Sequence, residues 1–313
     1  MTMNIPITQS EAWYKLQKAL GEQSFIESNK DYSYLAILKH TPVGNYLYCP
    51  YGPCYETKLG YQQSIGSLTK LAREHRAIFI RIEPQDPTFK SYAPKSAKKT
   101  KDLNPKETWL LSLEGTDDEL RAKLPSRLLR YYKSASKKGI TVEKSHNPDD
   151  ICHLINLQAA MAKEKGISIF SENYLRTELS QPFATLYLAK YHNPDTNKEE
   201  IVAAGLVFDD TTTRYNLQGA QSDQGRKLHA TGILTIQLIL DAKAKGLKTF
   251  DFWGIAPEGA PSNHPWAGFT NFKKTFAGYE KDYAGTYDIV LKPAKYKLYQ
   301  STRKLNRILR KAK

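Results

Sequence analysis

The sequence predicts a mixed α/β fold of two domains, on three observations. The chain has 313 residues, 40 % of them hydrophobic, enough for two cores of ordinary domain size. Short β-rich runs alternate with amphipathic helical stretches along both halves, the order that builds α/β layers. Each half repeats a similar order of strands and helices, although no short-period sequence repeat is present.

In chain order, Trp13, Leu16 and Leu20 have helical spacing, and Gly21 closes that helix. Tyr32–Leu38 and Tyr46–Cys49 read as strands, followed by the rigid turn Pro50-Tyr51-Gly52-Pro53. Residues 61–76 form an amphipathic helix and 77–84 a buried strand. Residues 90–106, lysine-rich and interrupted by proline, read as an exposed loop before a strand at Thr108–Leu113 and one helix over Asp117–Lys138. The second half reads as strands at Ile140–Lys144, Phe183–Lys190, Ile201–Asp209, Thr212–Gln218 and Thr249–Trp253. Its helices are Asp149–Lys165 ending at Gly166, Glu172–Leu179, and Leu228–Lys245 ending at Gly246. Residues 293–313 form a basic amphipathic helix. Leu298, Leu305, Ile308 and Leu309 can share one side of it, with Arg303, Lys304, Arg307, Arg310 and Lys311 elsewhere. It can dock on the first domain or lie on a membrane surface.

Composition narrows the function classes. With 46 Lys+Arg against 32 Asp+Glu, the net charge of +14 suits a polyanionic partner, whether nucleic acid, a diphosphate-bearing substrate or an anionic membrane, or serves solubility alone. No apolar run approaches the roughly 20 residues of a spanning helix, and MTMNIPITQSEAW has no basic region followed by an apolar stretch. Cys49, Cys54 and Cys152 make neither a disulfide framework nor a zinc pattern. The expectation is a cytoplasmic chain with reduced cysteines, peripheral at the inner face of the membrane if the basic helix touches lipid.

Phosphate-loop, dinucleotide, nucleophile-elbow and His-Glu-x-x-His motifs do not occur. What remains is chemistry by positioning and proton transfer. Asp251-Phe252-Trp253-Gly254-Ile255 ends a strand and is followed by a Gly/Pro/Ser-rich loop and by Phe272-Lys273-Lys274-Thr275-Phe276. There Lys273, between aromatic residues, reads either as a fixed cation for a developing oxyanion or as a surface lysine on an aromatic-anchored helix. Gly219-Ala220-Gln221-Ser222 ends a strand with little bulk, either to admit a ligand to the backbone or as a tight turn. Arg127, Arg130, Lys133 and Lys137 recur at three- and four-residue intervals among tyrosines, a face suited to tRNA or phosphate, or to water. Glu83, at a strand end, can be a general base for an amine.

As an ordered set, these stretches resemble the FemABX family of non-ribosomal peptidyl transferases. The resemblance rests on Trp13 with Lys15, Tyr51-Gly52-Pro53, Arg81-Ile82-Glu83-Pro84, Thr108 before a strand, Arg127 through Ile140, Tyr215 with Gly219-Ala220-x-Ser222, Ala244-x-Gly246, Asp251 through Ile255, Phe272-Lys273-x-x-Phe276, and Tyr287-Asp288. No sustained heptad run appears, so the chain is similar to the compact FemX-like members without a helical arm.

The resemblance implies two tandem acetyltransferase-like (GNAT-like) domains facing a cleft. The first, 1–120 with 291–313, would bind the acceptor precursor, and the second, 121–290, would face the aminoacyl-tRNA. It implies transfer of an amino acid from aminoacyl-tRNA to the peptide stem of a peptidoglycan precursor, UDP-MurNAc-pentapeptide or lipid II, without metal or acetyl-CoA. It gives Lys273 the reacting carbonyl, Glu83 the position of an acidic residue, and Lys15 the precursor diphosphate. Tyr215, Gly219, Ser222, Trp253 and Phe272 would bind substrate. Phe170 stands where relatives often carry a phosphate-gripping arginine, so either Lys165 or Arg176 substitutes or the acceptor is held differently. An acyl-CoA-dependent N-acetyltransferase and a non-catalytic RNA-binding protein are the alternatives. The first would need its pyrophosphate loop in residues 224–232, which fit that pattern poorly.

Overall fold

The computed structural model describes residues 3, 5–165, 169–261, 264 and 266–311, without the side chains of 163–165 and 306–311. The expected helix stop at Gly166, the candidate Lys165, and Arg307, Ile308, Leu309, Arg310 and Lys311 of the C-terminal helix therefore fall outside what is described.

The chain divides into two compact units, Met1–Lys106 with Asp282–Lys313, and Glu107–Lys281. The sequence reading put the divisions at 120/121 and 290/291. The strand at Glu107–Ser112 hydrogen-bonds within the second unit's sheet, which moves the first division toward the N-terminus.

The first unit begins with α1 (Glu11–Ala19), β1 (Ser24–Ser28), β2 (Tyr32–Lys39), β3 (Tyr46–Cys49), β4 (Cys54–Tyr55), α2 (Lys58–Glu74), β5 (Phe79–Ile82) and β6 (Ala97–Lys99). The second supplies β7 (Glu107–Ser112), α3 (Asp117–Lys123), α4 (Ser126–Lys133), β8 (Ile140–Ser145), α5 (Ile151–Lys165), α6 (Glu172–Leu179) and β9 (Ala184–Asn193). It continues with β10 (Lys198–Asp209), β11 (Thr213–Gln221), α7 (Asp223–Lys227), α8 (Ala230–Ala244), β12 (Thr249–Gly254), α9 (Ala267–Lys274) and β13 (Tyr279–Asp282). The chain then returns to the first unit with β14 (Tyr287–Val290) and α10 (Pro293–Lys311).

The first sheet runs β1-β2-β3-β5-β14-β6, with β4 also on β2. β3 and β5 are parallel, and β14 is antiparallel to both β5 and β6. The second sheet runs β13-β7-β12-β11-β10-β9-β8, with β11 and β12 parallel. α8 is apolar on nearly every side, and its Leu234, Ile236, Leu238 and Ile239 are buried in the core of that sheet. A Cβ on Gly232 would lie 2.7 Å from Leu128, so the glycine lets α4 close on α8.

Three expected elements differ. The single helix over 117–138 is α3, α4 and a 3₁₀ turn at Ser136–Lys138, because Leu124, preceding Pro125, is extended with ψ 143°. Within the expected loop at 90–106, β6 adds to the edge of the first sheet. The helix expected over 228–245 begins at Ala230, preceded by the separate α7. β1, β13 and β14 were not foreseen as strands.

α10 docks on the first unit, but not through Leu298 or Leu305. Tyr296 and Tyr299 are buried against Ile78 and Phe79, and the Tyr296 hydroxyl donates to Asp288 at 2.9 Å. Leu298 and Leu305 stay 58 % and 57 % exposed. No described helix is long and apolar enough to cross a membrane.

Candidate active site

In the second unit, β12 breaks its pairing with β7 between Asp251 and Gly254, and Trp253 there takes φ 66°. A positive φ in a non-glycine residue beside a bulge marks backbone that its surroundings hold in place. The Asp251 carboxylate accepts from the Trp253 N–H at 2.7 Å, which ties the bulge together. The Gly254 carbonyl, just past the bulge, accepts from Lys273 Nζ at 2.6 Å. Lys273 lies in the last turn of α9. That helix is anchored by Phe276, fully buried against Phe252 with ring centroids 4.8 Å apart and met by Phe272 at 5.6 Å. At its start Thr270 Oγ1 accepts from the Ala256 N–H at 2.8 Å and donates to the Trp266 carbonyl at 2.9 Å, which fixes the helix to the loop after β12.

The electrostatics follow from burial. Desolvation raises the Asp251 carboxyl to about 7 against the pull of the Trp253 N–H, Lys273 and Lys281. Desolvation lowers Lys273 to about 8, opposed by Asp251. Lys281 is lowered for the same reason, again opposed by Asp251. One buried carboxylate thus sits beside two half-buried amines, and Lys273 loses its proton more readily than an ordinary lysine. Tyr215 stands opposite Asp251 on β11; its hydroxyl donates to Asp210 at 2.7 Å and its ring meets Trp253 edge-on at 6.2 Å. The second unit therefore gathers Lys273, Trp253 and Tyr215 around Asp251, with Phe272 packed on Phe276.

Gly219 and Ser222 lie at the other end of β11. Ser222 caps α7, accepting from the Gly225 N–H at 3.0 Å, and lines a cavity of about 910 Å³ with Gln221, Asp223, His153, Asn156 and Glu199. The Arg226, Leu228 and His229 N–H groups bond to the Ser222, Gln224 and Arg226 carbonyls. A Cβ on Gly225 would come within 2.1 Å of the Val202 carbonyl, so the turn is pressed onto the sheet.

Arg127, Arg130 and Lys133 project from α4, with Lys137 in the 3₁₀ turn beyond it; all four are exposed. Arg130, Lys133 and Lys137 line a cavity of about 510 Å³. Arg127, Arg130 and Lys138 lie over the Tyr131 ring at 5.5, 5.8 and 5.6 Å. Arg127 also donates to the Tyr131 hydroxyl at 2.9 Å, and that bond, more than any other influence, lowers the phenol's pKa from its ordinary value. The ring stacks on His229 at 4.2 Å.

The remaining candidates lie in the first unit. Lys15 is exposed on α1. Glu83 is buried, and its carboxylate accepts five hydrogen bonds. Oε1 takes Asn104 N–H at 3.1 Å and the Thr286 hydroxyl at 2.8 Å. Oε2 takes the Tyr48 hydroxyl at 2.9 Å, Tyr51 N–H at 3.3 Å and Asn104 Nδ2 at 2.8 Å. A carboxylate offers about four lone-pair sites, so this one is saturated and pins the Tyr51–Pro53 turn to β5 and to the segment before β14. Phe170, at the arginine position, is half exposed and stacks on Tyr174. Arg176 is engaged by Asp149 and by Glu172, the latter at 2.9 Å.

The fold is similar to that of several solved structures, a tandem GNAT protein among them. It superposes on FemX with a TM-score of 0.78 at 17 % identity, covering 94 % of each chain. L-PGS from Bacillus licheniformis follows at 0.57 and 13 %, covering 97 % of this chain and 99 % of that one. A tandem GNAT protein from the clavulanic acid biosynthesis pathway matches at 0.51 and 14 %, covering 82 % of this chain and 78 % of that one. The FemAB family model matches residues 176–304, so the resemblance read from short motifs is met by a sequence match that includes β12, α9 and Lys273. No curated protein matches the chain significantly in sequence.

Proposed function

We propose that the protein transfers an amino acid from aminoacyl-tRNA to an amine on the peptide stem of a peptidoglycan precursor. The observation that carries this is Lys273, a half-buried amine aimed past a bulged strand end at the Gly254 carbonyl, inside the FemAB-matched region. The acceptor amine attacks the aminoacyl ester carbonyl. The C–N bond forms, the C–O bond to the ribose breaks, and the leaving hydroxyl takes a proton. As charge develops on the carbonyl oxygen, the Lys273 ammonium turns from Gly254 to that oxygen and stabilises it. Asp251 favours the protonated lysine against the desolvation that lowers it. The ester is already activated, so holding the reactants together supplies much of the rate.

With Glu83 saturated, the amine proton leaves through the substrate's own phosphate or carboxylate, and Glu83 holds the first unit's loop in shape. Arg127, Arg130, Lys133 and Lys137 contact the tRNA phosphates, Lys15 the precursor diphosphate, and Tyr215, Trp253 and Phe272 line the acyl site. The chain works in the cytoplasm, and a lipid-carried acceptor brings it to the membrane's inner face.

The test is transfer of labelled amino acid from a pool of charged tRNAs to UDP-MurNAc-pentapeptide and to lipid II, with Lys273→Ala beside the wild type. A loss of at least about tenfold, roughly 1.4 kcal/mol of transition-state stabilisation, is expected. Absence of transfer to either acceptor from any charged tRNA would overturn the reading.

A further inference from the structure

α10 presents two unlike faces, and only one is used. Tyr296 and Tyr299 fix its inner face: the Tyr299 ring lies 5.0 Å from Phe79 and 6.1 Å from Tyr46, and Tyr296 is bonded to Asp288. That docking sets the helix's rotation. Leu298 and Leu305, seven residues apart and so on one stripe, are thereby held pointing away from the unit, at 58 % and 57 % exposure. Ala294 and Ser301 continue the stripe and Lys297 and Lys304 border it, all four exposed. The helix sequence has seven Lys/Arg residues and no Asp or Glu. A lone exposed leucine is ordinary; a leucine stripe on a rigidly docked, wholly cationic helix has the form of an interfacial helix.

We propose that this outer face of α10 docks on an anionic lipid bilayer, the leucines entering the headgroup–acyl boundary and Lys297 and Lys304 meeting lipid phosphates. Charge selects the occupant. A second copy would bring an identical cationic helix against this one, and RNA offers the leucines nothing apolar to enter. The proposal deepens the transfer reading by naming the surface where a lipid-carried acceptor is met.

The experiment is co-sedimentation of the full chain with vesicles of phosphatidylcholine alone and of phosphatidylcholine with about 30 % phosphatidylglycerol. Wild type should bind the anionic vesicles and release them at high salt. Leu298→Glu/Leu305→Glu, on side chains that make no core contact, should keep the thermal transition and lose at least tenfold in vesicle affinity. Lys297→Gln/Lys304→Gln should weaken binding less and flatten its salt dependence. Wild type that ignores anionic vesicles, or a leucine double variant that binds as well as wild type, overturns the proposal. So does concentration-dependent dimerisation that the leucine variant abolishes without vesicle binding. Neither substrate nor tRNA is present, so failure here leaves the transfer reading standing. Transfer to the soluble acceptor by the leucine variant should equal wild type.

Discussion

Glu83 and Asp251 are each buried to 2 % exposure, one per unit, Glu83 just beyond the end of β5 and Asp251 inside β12, where its pairing breaks. Their surroundings separate them. Glu83 has five donors from Tyr48, Tyr51, Asn104 and Thr286. Asp251 has one backbone donor and two half-buried lysines that influence it. A carboxylate saturated by neutral donors becomes a joint in the structure. One left under-bonded beside amines becomes a titrating partner. Depth of burial alone would not have told them apart.

The largest effect that would break this comparison lies at Glu83. Glu83→Ala strands several buried donors and is expected to cost about 3 kcal/mol or more in urea unfolding. A loss below about 1 kcal/mol, with transfer abolished, would instead make Glu83 the base. Next comes Asp251. Lys273 is protonated below about 8, so the cation is present at lower pH and the transfer rate should fall as pH rises through that value. Asp251→Asn removes the anion that holds the proton on, and the falling limb should move to lower pH. An unmoved profile would mean that Asp251 only packs.

Glu178 is a third case and the smallest effect. It is buried with Oε2 unpaired, and burial lifts its carboxyl to about 8. The folded state keeps a proton that the unfolded chain releases near the ordinary carboxylate value, so this group's contribution to stability declines as pH rises toward about 8. Glu178→Gln should therefore raise the melting temperature relative to wild type at pH 8 and change it little at pH 4; equal shifts at both would refute this account.

Legibility in the sequence followed the same physics. Strands with clear β runs, such as Tyr32–Leu38 and Ile201–Asp209, and the apolar α8 could be read from pattern. β1, β13 and β14 could not, being four or five residues long with mixed polarity and made strands by their neighbours. Lys273 was found through its aromatic flanks. For Asp251 the signal in the sequence is a carboxylate between two phenylalanines in a strand, but its role depends on amines that only the fold brings near it. Lys281, in Tyr279-Glu280-Lys281-Asp282, gave none. Tyr131 and His229 meet only in the folded chain, 98 positions apart.

The position of β14 has its own consequence. It lies inside the first sheet, between β5 and β6, and brings Asp288 to the buried Arg81, paired at 2.7 and 2.8 Å. Both strands it joins are made before the second unit, and β14 itself after it. During synthesis, the first unit to emerge must wait with a gap in its sheet and an unpaired buried guanidinium, while the unit made later can close first. In this chain the order of translation and the order of completion run opposite ways.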